Sequence, residues 1–158
     1  MRLFFALFAS TLPAVTFAAA EPLSLNDALL IVPEDIPAVA VETLTEEWSA
    51  RATPTLVSAD TWPDGRPAIR LERTHPELPH DAPSLLPGDN PEAYAIVTDT
   101  SHVQPRIRIV ANGTRGLLYG IGRLLRAVDW SSGVPVLAEA LNVRTAPAYP
   151  LRGHQLGY

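Results

Sequence analysis

The chain has 158 residues, 12 basic side chains against 17 acidic ones, a net charge of −5 and no cysteine. The absence of cysteine excludes disulfides and thiolate metal sites, and the acidic balance argues against nucleic acid, which calls for concentrated positive charge. Every basic side chain is arginine, a bias that no single function requires and that reads as genome composition.

Residues 1–20 read as a cleavable signal peptide. Arg2 is the charged n-region, Leu3 to Phe17 the apolar run, and Ala18-Ala19-Ala20 the small residues of the cleavage site. A spanning helix needs about 20 apolar residues, and this run is shorter and interrupted by Pro13. The mature chain is then expected to begin at Glu21, outside the cytoplasm (periplasmic or extracellular), with no later membrane span. Its 138 residues, with 11 arginines and 17 acids, carry a charge of −6 and fit one domain.

Leu29 to Val32 is a short apolar strand ending at Pro33. A helix is predicted from Pro37 to Arg51, with Val41, Leu44 and Trp48 on one face and Glu34 and Asp35 ahead of its positive end. Thr55 to Ser58 and Ala68 to Glu72 are the next strands, separated by an Asp64-Gly65 turn. Arg73 to Pro91 holds five prolines and reads as one long loop. Ala93 to Thr98 and Arg106 to Val110 alternate as strands, the former with Tyr94, Ile96 and Thr98 on one face.

After the Asn112-Gly113 turn, Thr114 is expected to cap a helix from Arg115 to Val128. Leu117, Leu118, Ile121, Leu124, Leu125 and Val128 form its apolar stripe, and Gly116 and Gly120 allow close approach to a sheet. From Trp130 to Ala148 the chain reads as irregular. The predicted order β-α-β-β-β-β-α gives an α+β fold, a mixed sheet with two helices packed on it.

Chemistry is sparse. The histidines His75, His80, His102 and His154 form no H-E-x-x-H, and there is no G-x-S-x-G or G-x-x-x-x-G-K. His75 and His80 share a proline-rich loop with Glu77 and Asp81, where solvated loop residues are the plainer explanation. Glycoside hydrolysis needs two carboxylates flanking the scissile bond. The adjacent pairs Glu34-Asp35 and Glu46-Glu47 belong to a helix start and a helix's polar face. The Asn112-Gly113-Thr114 acceptor sequence is explained by turn and cap. No catalytic residue, metal ligand or cofactor site is identified.

Three stretches in order carry a resemblance. Glu92-Ala93-Tyr94-Ala95-Ile96 leads into the strand Arg106 to Ala111. Gly116-Leu117-Leu118-Tyr119-Gly120-Ile121 follows with Leu124-Leu125. Arg144-Thr145-Ala146-Pro147-Ala148-Tyr149-Pro150-Leu151-Arg152-Gly153 comes last. The series resembles the non-catalytic, zincin-like domain that precedes the barrel in glycoside hydrolase family 20 β-N-acetylhexosaminidases and in α-glucuronidases, over about residues 25–158. With the signal peptide at 1–20, the resemblance implies an α+β ancillary domain at 21–148 and the first strand of a truncated catalytic (β/α)₈ barrel at 149–158. It implies no zinc or other cofactor, carbohydrate as the partner through the missing barrel, catalytic carboxylates downstream of Tyr158, and a chain inactive by itself. Arg152 is the implied substrate-binding residue. Gly157 stands where family 20 usually has an acid, so the ending leans toward the α-glucuronidases. The alternative is a free-standing periplasmic carbohydrate-binding or interaction module. Trp48, Trp62 and Trp130 are its candidate sugar platforms, with packing roles as the competing explanation.

Overall fold

The computed structural model describes residues 21–52, 56–74, 86 and 88–146. The signal segment, the His75 and His80 loop and the Arg152 segment lie outside the described residues. The elements in chain order are β1 (Leu23–Ser24), β2 (Leu29–Ile31), α1 (Ala38–Ser49), β3 (Val57–Ala59), β4 (Ala68–Arg73) and β5 (Tyr94–Asp99). β6 (Arg106–Ala111), α2 (Thr114–Ala127), β7 (Val128–Asp129), β8 (Val136–Leu137) and β9 (Val143–Thr145) complete them.

Six strands form a mixed sheet in the order β3-β2-β4-β6-β5-β9. β3, β2, β4 and β6 run parallel, and β5 is antiparallel to both β6 and β9. The parallel pair β2/β3 is joined through α1, the crossover that parallel pairing demands. A separate antiparallel sheet, β1-β8-β7, is built from two-residue strands. This is the α+β fold that the residue pattern predicts.

Strand alternation divides the large sheet into two unlike faces. Ile69 pairs with Ile107, and Leu71 with Ile109, which in turn faces Ile96. All five are fully buried in one core with Leu44 and Trp48 of α1 and Leu117, Ile121 and Leu124 of α2. Burying each such side chain contributes roughly 1.5–3 kcal/mol, so this layer holds the fold. The other face carries Arg70 opposite Arg108, Glu72 opposite Val110, and Asp99 opposite Arg106.

The glycines of α2 explain how close the helix lies. A Cβ on Gly116 would stand 2.4 Å from the Ala93 carbonyl oxygen, and one on Gly120 would stand 2.5 Å from Ile109 Cγ2. Gly65, in the predicted turn, has φ +74°, the left-handed conformation that favours glycine.

Several boundaries differ from the sequence expectation. Gly113, in extended conformation, is the residue before α2, and no side chain caps that end. Thr114 is therefore the first helical residue and not the cap. The adjacent Asn112 side chain is spent elsewhere: its amide donates to the Gly88 and Asn90 carbonyls, and its oxygen accepts from the Thr74 hydroxyl. The segment expected to be irregular after Trp130 contains β8 and β9. Residues 128–129 leave α2 as a strand instead of extending it.

Candidate functional site

The sequence-derived site residue, Arg152, lies outside the described residues, as do His75, Glu77, His80 and Asp81. Glu34, Asp35, Glu46 and Glu47 are exposed, and Glu47 is engaged by Arg51 one helical turn on. Among the described residues no group of three or more His, Asp or Glu is placed to hold a metal ion. No helix of the described residues is long and apolar enough to cross a membrane.

The three tryptophans part company. Trp48 is buried and meets Trp130 edge-on, with ring centroids 5.0 Å apart. The Trp130 indole N–H donates to the Leu125 carbonyl at 3.0 Å. Both therefore close the core at the helix ends. Trp62 instead stands on the polar face of the sheet, with the Arg106 guanidinium 5.4 Å and the Arg70 guanidinium 6.0 Å from its ring centroid. These distances lie within cation–π range.

Trp62 is one wall of a cleft of about 300 Å³, lined further by Arg70, Glu72, Asp99, His102, Arg106 and Arg108. Glu72, 11% exposed at its side chain, receives a bidentate pair from Arg108, Nε to Oε1 at 3.0 Å and Nη2 to Oε2 at 2.7 Å. That fork is the strong form of a charge-assisted hydrogen bond. Arg70 Nε is also 3.2 Å from Glu72 Oε1, but outside hydrogen-bonding geometry, and this buried nitrogen has no hydrogen-bond partner.

Asp99 is oriented by Ser101, whose hydroxyl and backbone N–H donate to Oδ1 at 2.6 and 2.9 Å. These bonds, first the hydroxyl and then the amide, hold its pKa below the ordinary aspartate value, helped by His102 and Arg106. A glycosidase general acid needs the opposite shift. Asp99 therefore does not fit that role, and the cleft is suited to holding polar groups.

A second groove, about 280 Å³, lies where α2 crosses β5 and β9. Glu92, Tyr94, Leu118, Tyr119, Gly122, Arg126 and Thr145 line it. The structure thus brings together Glu92 and Tyr94, Tyr119, and Thr145, taken from three separated stretches of the family-like pattern. Their spacing has a packing cause: the glycines at 116 and 120, on either side of Tyr119, seat the helix on Ala93, Tyr94 and Ile109. Glu92 is nearly buried and is paired with Arg115 at 3.2 Å.

No protein-family model matches the chain, and no curated protein matches it. Solved structures do share its fold. One is an inactive mutant of the GH20 exo-β-N-acetylglucosaminidase from Vibrio harveyi, with TM-score 0.56 and 16% identity over 81% of this chain and 17% of that one. A second is CpGH84B, with TM-score 0.55 and 16% identity over 89% of this chain and 23% of that one. A third is a GH138 enzyme targeting pectin rhamnogalacturonan II, with TM-score 0.51 and 16% identity over 78% of this chain and 16% of that one. The chain therefore spans about a sixth to a quarter of each neighbour's length, and the likeness is one of fold. The α+β layer described above is an architecture found within larger glycoside hydrolases.

Proposed function

We propose that this chain is the non-catalytic N-terminal domain of an exported glycoside hydrolase, acting on poly- or oligosaccharide, of α-glucuronidase-like or β-N-acetylhexosaminidase-like type. One observation carries the reading: the fold match takes in 81% of this chain but 17% of the family 20 enzyme. A domain that accounts for so little of such an enzyme is an ancillary part. The sequence pattern ending in Arg152-Gly153 supports the same assignment independently, with Arg152 as a substrate-binding residue and catalytic carboxylates beyond Tyr158. The signal-like residues 1–20 support export.

Under this reading the domain contributes a scaffold and leaves bond cleavage to the barrel. The test is hydrolysis by the purified full chain of aryl glucuronides and aryl N-acetylhexosaminides. No turnover above a blank is expected. Turnover that a substitution at Glu72, Glu92 or Asp99 abolishes would overturn the reading, because a catalytic carboxylate would then reside in this chain.

A further inference from the structure

We propose that the cleft between Trp62 and the arginine face of the sheet binds a sugar acid, a polyhydroxylated ring bearing one carboxylate. The proposal stands on the cleft's own geometry and does not depend on the glycoside hydrolase reading.

Three guanidiniums, Arg70, Arg106 and Arg108, line the cleft with two carboxylates, Glu72 and Asp99. Counting the arginines and carboxylates alone, the lining carries one positive charge in excess, which matches a monoanion better than a dianion. Arg108 is committed to Glu72 through both arms of its fork. Arg106 differs: its Nη1 meets His102 Nε2 at 3.1 Å and its guanidinium carbon lies 5.4 Å from the Trp62 ring centroid, but it has no ion pair with a carboxylate among the described residues. Arg70 is ion-paired with Glu72, its buried Nε 3.2 Å from Oε1, and adds positive charge to the lining. Arg106 thus has donor capacity to spare beside one aromatic wall. A planar fork is the donor arrangement that recognises a planar carboxylate.

The remaining lining selects the rest of the ligand. Asp99 Oδ2 lies 3.4 Å from His102 Nε2 and faces the cleft with Glu72. Carboxylates accept hydrogen bonds only, so they suit hydroxyl groups and repel additional negative charge. Trp62 supplies the apolar surface. The volume of about 300 Å³ lies at the small end of ligand sites, a size suited to one sugar unit.

The experiment is NMR titration of the full chain with sodium glucuronate, glucose and inorganic sulfate at matched ionic strength, following the Trp62 indole N–H and the arginine Nε–H signals. Glucuronate is expected to give saturable shifts at Trp62 and Arg106, with glucose and sulfate at least about tenfold weaker, the worth of a charged hydrogen bond. Arg106→Ala is expected to weaken glucuronate about tenfold or more, and Arg106→Lys to restore little because lysine lacks the fork. Arg106→Lys keeps the charge next to Trp62 and serves as the reading if the alanine variant fails to fold. Equal binding of sulfate would mean a generic anion patch, equal binding of glucose would mean that the carboxylate is not read, and absence of shifts at Trp62 would mean no site. Each of these three results overturns the proposal.

Discussion

Asp99 shows how a single residue's chemistry follows from its neighbours. With the Ser101 hydroxyl and amide both donating to it, its ionised form is favoured in the folded chain. A lowered carboxylate pKa stabilises the fold above the unfolded value and loses that contribution as pH falls through the folded value. The predicted observation is an Asp99 titration midpoint below the ordinary aspartate value, moved upward by Ser101→Ala. An unchanged midpoint in that variant would contradict the assignment. Arg152 belongs to the same scale, although it lies outside the described residues. A guanidinium gripping paired hydroxyls or a uronate carboxylate contributes about 1.5–3 kcal/mol through a charged hydrogen bond. In the longer enzyme proposed above, Arg152→Ala is expected to lower kcat/KM by roughly 10- to 150-fold with little change in Tm. Unchanged kinetics, or a loss matched by unfolding, would make Arg152 structural.

At the scale of elements, α2 gives the sharpest contrast. Gly116→Ala places a methyl 2.4 Å from a backbone oxygen, which cannot move without shifting its own segment. A loss of about 1–3 kcal/mol or more, the cost of overpacking, is expected as a lower Tm. Gly122→Ala meets only the flexible end of Arg126, at 3.2 Å. It gains up to about 1 kcal/mol of helix propensity, so Tm should hold or rise. Equal effects of the two substitutions in a thermal melt would contradict the packing account. The same helix shows what was legible beforehand. Its apolar stripe runs the length of the helix and announces itself by period, as do the alternating runs of β4, β5 and β6. β1, β7, β8 and β9 have two or three residues each, too few for any period to register. They exist because partners elsewhere in the chain satisfy their backbone groups. The missing Thr114 cap has a similar cause: the extended Gly113 takes the place before the helix.

The described residues divide at the six-stranded sheet, with an apolar face under two helices and an opposite face that carries the charged cleft under Trp62 beside a small apolar cluster of Leu86, Ala95 and Val110. The alternation Arg106-Ile107-Arg108-Ile109 already contained both faces, since successive side chains point oppositely. The cleft itself was not legible, because Trp62, Arg70, Asp99 and Arg106 are separated in sequence and meet only through the β4–β6–β5 register. Arg152 belongs to a family-like pattern, and its proposed role depends on a barrel beyond Tyr158. The reading frame that follows codon 158 tests the proposed domain assignment. An open frame continuing for a barrel's length, roughly 250 residues, is expected, with two acidic residues at strand ends required for glycoside hydrolysis by the longer protein. A natural stop codon directly after Tyr158 would contradict it.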